Sequence, residues 1–146
     1  VINELFESVN IIPVSIVLAQ AANESAWGTS RFAKEYNALF GQYTYDEENG
    51  VIPFERESGK KHLIKNFSSI DKSVESYFMN INTHYAYKKF RTIRNTMDED
   101  NIVIKSLTQS LDVYAEDEMY VNTLNAIIDS NNLTQFDSEI YSFTNS

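Results

Sequence analysis

Glu24 closes a stretch in which residues 13–23, PVSIVLAQAAN, carry no ionisable side chain. An ionised carboxylate is disfavoured in low-dielectric surroundings. At the end of so apolar a run it is either exposed to water, paired with Arg31 or Lys34, or held as the neutral acid. Gln20 lies four residues earlier on the same helical face, so an amide and a carboxyl project together from an otherwise apolar helix. Trp27 follows within a turn, with Gly28 behind it to bend the chain. A carboxyl held against an apolar wall and an indole has a raised pKa. A carboxylic acid that keeps its proton near neutral pH is what general-acid cleavage of a glycosidic bond requires. YNALFGQYTY, residues 36–45, then supplies aromatic planes for the C–H faces of sugars and amide and phenol groups for their hydroxyls.

Glycosidases commonly use two carboxyl groups, about 5–5.5 Å apart for retention and about 6.5–9.5 Å apart for inversion. The candidates for the second are Asp46, Glu47, Glu48, Glu55 and Glu57. DEEN, residues 46–49, reads as a solvated turn, whereas alternation puts Glu55 and Glu57 on one face of an extended segment.

The elements that must position these groups are mostly helices. Pro13 suits a helix start, and VSIVLAQAAN after it is apolar nearly all round, as a buried helix is. Ser30 is placed to cap a short helix RFAKEY that ends near Asn37. In residues 71–84 Val74, Tyr77, Phe78 and Ile81 share one helical face, with Asp71 as the expected cap. Further helices are expected at about 86–96, 102–110 and 117–130, with MDEDN, residues 97–101, as a link and Asp117 as a cap. Residues 132–142 read as another helix or a docked tail. Between the helices, FGQYTYDEENGVIPF and HLIKNF alternate and are punctuated by NG and SG, which predicts a hairpin or small sheet. His62 and His84 read as hydrogen-bonded structural groups.

Composition removes other classes. The 146 residues suffice for one domain with a sizeable core. A formal net charge of −9, from 21 acidic and 12 basic residues, repels phosphate backbones and argues against nucleic-acid binding. Lys60, Lys61, His62 and Lys65 form a local basic group that offsets this charge. There is no cysteine and no HExxH, P-loop or GxSxG, so no metal, cofactor or thiol or serine nucleophile is expected. No apolar run approaches the ~20 residues of a membrane span, so no stable membrane insertion is expected. The chain opens on Val and reads as a piece of a longer exported protein.

AQAANESAWGTSRFA followed by YNALFGQYTY resembles the ES-x-WG-x-S … N-x-LFG signature of the glucosaminidase domains of glycoside hydrolase family 73. The resemblance is closer still to the bacterial Bax-like group, whose hairpin, Asn-Thr-His-x-x-Tyr helix and Tyr-Ala-x-Asp segment VIPFERESGKKHLIKNF, NINTHYAYKKFR and LDVYAEDEMYVNTL resemble. The similarity runs from about residue 11 to residue 128. It implies an α+β, mainly α, lysozyme-like fold with a helical body and a small β-hairpin lobe flanking the active-site cleft. All of residues 1–146 would form one monomeric catalytic domain. The implied activity is hydrolysis of the β-1,4 bond between GlcNAc and MurNAc in peptidoglycan glycan strands, in the periplasm or cell envelope. The resemblance puts Glu24 on the general acid and Tyr114 on a tyrosine near it in the cleft. Glu57 becomes the second carboxylate, with Glu55 in reserve, and Trp27, Asn37, Phe40 and Gly41 fall on motif positions that shape the substrate groove. Gln20 joins this substrate-binding set from its helical spacing. A lytic transglycosylase or muramidase on the same fold, and a catalytically silent glycan-binding domain, are the competing readings.

Overall fold

Helix α1 (Val14–Glu24) starts directly after Pro13, whose carbonyl accepts from the N–H groups of Ile16 and Val17 at 3.0 and 3.1 Å. Its residues Ser15, Ile16, Ala19 and Gln20 are buried, as the nearly all-apolar sequence requires. The computed structural model describes residues 10–53, 58–98 and 103–137. Its architecture is mainly helical α+β with a small three-stranded antiparallel sheet. The chain divides into two compact units, one made of Val1–Gln20 with Phe78–Ser146, the other of Ala21–Tyr77.

The first unit is helical. After helix α3 (Ile70–Thr83), which enters this unit at Phe78, come α4 (Lys88–Arg94), α5 (Ile104–Gln109) and α6 (Tyr120–Ser130). Ile16, Ile81, Phe90, Leu107, Leu111 and Leu124 are fully buried, each worth about 1.5–3 kcal/mol of apolar transfer. Two arginines are buried with them and donate to carbonyls. Arg91 reaches the carbonyls of Ile81 and His84 at 2.8 and 2.9 Å, while Arg94 reaches Asn82 Oδ1 at 2.7 Å. The start of α1 is held by a distant residue. Asp137 is 4% exposed, and its carboxylate accepts from the Ser15 N–H at 2.8 Å and the Ser15 hydroxyl at 2.7 Å. A carboxylate there satisfies an otherwise unpartnered first-turn donor and complements the helix dipole.

The second unit holds α2 (Arg31–Tyr36) and strands β1 (Tyr43–Thr44), β2 (Gly50–Val51) and β3 (Leu63–Lys65). Ser30 caps α2 as expected, its hydroxyl accepting from the Ala33 N–H at 3.1 Å. Asn37 ends that helix in the left-handed region at φ 55°. The sheet order is β1-β3-β2, with Tyr43 opposite Ile64 and Val51 also opposite Ile64, so the two outer strands share β3 instead of pairing with each other. The Asn49-Gly50 pair is therefore not a two-residue hairpin turn. Asp46 organises that turn, accepting from the Glu48 N–H at 3.0 Å and from Asn49 Nδ2 at 2.7 Å. A Cβ on Gly50 would lie 2.6 Å from Leu63 Cβ, so its glycine lets β2 pack against β3.

Several boundaries differ from the sequence expectation for local reasons. Ser69, not Asp71, caps α3, its hydroxyl accepting from the Lys72 N–H at 3.3 Å, and Asp71 sits in the first turn. The helix expected from 86 opens as a 3-10 turn, Tyr85–Tyr87, capped by His84 Nδ1 accepting from the Ala86 N–H at 3.2 Å. Asp117 caps the turn before α6, accepting from the Met119 N–H at 2.9 Å, so the helix itself begins at Tyr120. Residues 110–114 continue α5 as a 3-10 turn, and Leu133–Phe136 form another. Residues 99–101 of the expected link lie outside the described residues. Among the described residues no helix is long and apolar enough to cross a membrane.

Removing the Asp137 carboxylate leaves Ser15 with two buried donors. Asp137→Ala is expected to lower unfolding free energy by about 1.5–3 kcal/mol in denaturant titrations, and Asp137→Asn by less. A change below about 0.5 kcal/mol for the alanine variant would show that this tertiary cap contributes nothing.

Candidate functional site

Glu24 is the last residue of α1, and the chain behind it turns sharply. Ala26, Trp27 and Gly28 all have positive φ, at 50°, 56° and 74°. Two consecutive non-glycine residues in this region cost about 1–2 kcal/mol each, and such conformations persist only where neighbours enforce them. Here hydrogen bonds enforce them. The Trp27 N–H donates to the Ala22 carbonyl at 2.8 Å, the Gly28 N–H to Ser25 Oγ at 2.8 Å, and the Ser30 N–H to the Ser25 carbonyl at 3.0 Å. Ser25 is 2% exposed, whereas the Trp27 indole is 62% exposed. The turn thus ends the helix with Glu24 half-buried and presents Trp27 to solvent.

The segment that meets Glu24 is fixed separately. Asn37 donates through Nδ2 to the Phe67 carbonyl at 3.0 Å, and the Phe67 N–H donates to the Tyr36 carbonyl at 3.0 Å, tying the end of α2 to the chain leaving β3. The Leu39 N–H donates to Ser73 Oγ at 3.3 Å on α3. Phe40 is 2% exposed and stacks on Tyr77 with centroids 4.1 Å apart and planes 16° apart. Phe40 is therefore a core side chain that sets the backbone after it.

That backbone is Gly41, at φ 62°. A Cβ built on it would lie 2.5 Å from Glu24 Oε2 and 3.3 Å from Glu24 Cδ. The carboxyl occupies the space that any side chain at 41 would need. Two sequence blocks, ES and LFG, meet at this contact. Gly41 consequently has two reasons to be glycine, the backbone angle and the carboxyl. Next to it, Gln42 Oε1 is buried with no hydrogen-bond partner among the described residues, an arrangement that costs about 1–3 kcal/mol.

The remaining candidates fall elsewhere. Gln20 is fully buried in the first unit and donates through Nε2 to the Tyr120 hydroxyl at 2.9 Å. Tyr114 is half-buried in the same unit, its ring 5.8 Å from Tyr120 at 5° and 6.0 Å from Tyr87 at 42°. Glu55 and Glu57 lie outside the described residues. Asp46 orders a turn, and Glu47 and Glu48 are exposed there. Lys65 donates to Ser76 Oγ at 3.1 Å and lies over the Phe67 ring, so it is a packed lysine, while Lys60 and Lys61 are exposed. Sequence reasoning missed Ser25 and Tyr120, and it placed Tyr77 on the apolar face of α3 without its stack on Phe40. Each supports a singled-out residue from a distance in sequence or through a backbone turn, and no local pattern reports that.

A half-buried carboxyl seated against a glycine, with left-handed residues in the turn behind it, is an arrangement that persists only where the surrounding structure enforces it. Residues 1–133 match the glucosaminidase family, described as mannosyl-glycoprotein endo-beta-N-acetylglucosaminidase, and the chain belongs to that family. It is 44% identical over 92 residues to Protein bax of Escherichia coli (strain K12), covering 63% of this chain and 32% of that protein. It is 27% identical over 143 residues to exo-glucosaminidase LytG of Bacillus subtilis (strain 168), covering 91% of this chain and 49% of LytG. The chain thus spans about a third and about half of these curated relatives. Its fold matches the catalytic domain of the autolysin Auto from Listeria monocytogenes with a TM-score of 0.64 and 27% identity, covering 84% of this chain and 74% of that one. It also matches an N-acetylmuramoyl-L-alanine amidase from Staphylococcus aureus with a TM-score of 0.63 and 30% identity, covering 84% of this chain and 37% of that one.

Gly41→Ala is expected to destabilise the protein by more than about 1 kcal/mol and to displace the Glu24 carboxyl. Thermal denaturation and the chemical shift of the Glu24 side-chain carboxyl carbon check both. An unshifted carboxyl signal would refute the close approach.

Proposed function

We propose that this chain is a peptidoglycan hydrolase, an endo-β-N-acetylglucosaminidase that cleaves the β-1,4 bond between GlcNAc and MurNAc with Glu24 as general acid. The observation that carries the proposal is the seat of the Glu24 carboxyl on Gly41, in a chain of the glucosaminidase family. A carboxylic acid held there gives its proton to the glycosidic oxygen as the bond to the leaving MurNAc breaks. Two routes complete the reaction. In one, the oxygen of the substrate's own 2-acetamido group attacks the anomeric carbon, Tyr114 stabilises that group through its hydroxyl, and water then opens the ring with net retention. In the other, Glu57 activates a water on the opposite face and configuration inverts. Trp27 offers a stacking plane for a sugar, while Asn37, Phe40 and Gln20 act through the packing and hydrogen bonds described above. Such an enzyme works in the periplasm or cell envelope. The similarity to the exo-glucosaminidase LytG over 91% of this chain favours a second reading in which sugars are released from strand ends.

Digestion of purified peptidoglycan tests the proposal directly. New reducing GlcNAc ends inside the strands are expected. Release confined to chain termini would favour exo action, and 1,6-anhydro-MurNAc ends would make the chain a lytic transglycosylase. Glu24→Gln is expected to lower turnover by about 10²–10⁴-fold with folding intact. Because the general acid works in its protonated form, kcat falls as pH rises through its pKa, and this alkaline limb belongs to Glu24. If Glu24→Gln retains the biological effect, the domain is a glycan binder.

Proton NMR of the first-formed anomer separates the two routes. A β product goes with loss of activity in Tyr114→Phe and tolerance of Glu57→Gln, whereas an α product goes with loss in Glu57→Gln. An α product from a Glu57→Gln enzyme of undiminished activity would exclude Glu57 as the base.

A further inference from the structure

Strand β1 leaves Gly41 carrying aromatic rings that the catalytic reading leaves without a task. Tyr43 and Tyr45 are 64% and 78% exposed, with the half-buried Thr44 between them. Tyr43 lies in β1 opposite Ile64, Tyr45 follows directly after the strand, and His62 directly precedes β3. The His62 ring packs against Tyr43 with centroids 4.5 Å apart and planes 40° apart. The side of β3 away from Ile64 carries Leu63, which is buried, and Lys65, which reaches Ser76 of α3. Ile64, on the same side as Tyr43, is buried as well, so it is the exposure of the two tyrosine rings themselves that marks the surface. Exposed aromatic rings in a group, unlike single ones, mark a contact surface.

We propose that Tyr43, Tyr45 and His62 form a stacking platform for further sugars of the glycan strand, beyond the pair that flanks the cleaved bond. The inference rests on the glucosaminidase reading and adds a subsite to it. Three features select a glycan as the occupant. The rings are close in the chain to the Glu24 seat: by chain length Tyr43 lies within about 7 Å of Gly41 and Tyr45 within about 14 Å, Cα to Cα, the reach of one to a few sugar units. Flat phenol rings match sugars, offering a π face to C–H groups and a hydroxyl rim to their oxygens. Lys61, exposed and directly before His62, adds a cation in a chain whose net charge is −9, complementing the carboxylates that MurNAc and its stem peptides carry.

The test measures two things on the same variants. Binding to deproteinised, insoluble peptidoglycan is read by co-sedimentation in the Glu24→Gln background, which prevents turnover. Cleavage of the polymer and of a soluble fragment just long enough to span the scissile bond is read in the parent background. Tyr43→Ala/Tyr45→Ala is expected to weaken polymer binding about tenfold, consistent with the loss of two ring contacts. Its loss in kcat/KM on the polymer should exceed its loss on the short fragment by a similar factor. Tyr43→Phe/Tyr45→Phe should recover most of the binding. Tyr45→Ala alone, at the most exposed of the three positions, gives the same direction if the double variant has a lowered melting temperature. Polymer binding equal to the parent's would overturn the platform. So would equal losses on polymer and fragment in a variant of native melting temperature, because the rings would then belong to the reacting centre. Failure of the enzymatic reading is seen separately, as a parent protein that yields no new reducing ends while still co-sedimenting with the polymer.

Discussion

The close approach of the Glu24 carboxyl to the Cα of Gly41 imposes more on this chain than any other single contact. It needs α1 to stop at Glu24, a residue without a side chain at 41, and a backbone at 41 in the left-handed region. Each requirement has its own support. The three left-handed residues Ala26, Trp27 and Gly28 are held by bonds to Ser25 and Ala22, and Gly41 is anchored through the Phe40–Tyr77 stack and the Asn37–Phe67 bond. A carboxyl fixed by packing and backbone keeps its orientation without reorganisation, as the acid role proposed for it would need.

The local costs around this contact are consistent with a site rather than a core. Three left-handed non-glycine residues, Ala26, Trp27 and Asn37, and one unpartnered buried amide oxygen lie within the segment from Ala26 to Gln42. A chain selected for stability alone replaces such features, since each costs about 1–3 kcal/mol. In the first unit several buried polar groups have partners far along the chain or on carbonyls: Ser15 on Asp137, Gln20 on Tyr120, Arg91 and Arg94 on carbonyls. Its helices pack around fully buried Ile, Leu and Phe side chains.

The fold class was legible wherever one periodicity dominated. The uncharged run before Glu24, the Ser30 cap and the apolar face of residues 71–84 all correspond to helices in the structure. The errors lie where short side chains compete for backbone groups. Ser69 displaced Asp71 as a cap, and Asp117 spends its carboxylate on a turn, moving the start of α6 to Tyr120. The NG pair does lie in the small sheet that the alternation predicts, with Gly50 opening β2. Its glycine answers to the Leu63 side chain on a neighbouring strand, which no local turn rule contains.

By itself, the sequence determined that this is a helical chain with a small β insertion, and its motif blocks determined the glucosaminidase family. It also singled out Glu24, because a carboxylate ending an apolar helix is conspicuous in one dimension. Only the tertiary structure decided which neighbours matter to it. Phe40 became a buried support, Asn37 a tie to Phe67, Gln20 a partner of Tyr120, and Gly41 the seat of the carboxyl. The physical reason is that helix and strand patterns follow from nearest-neighbour sterics and solvation along the chain. Contacts between residues far apart in sequence depend instead on how packed elements meet, and that is set by volume and geometry across the whole core.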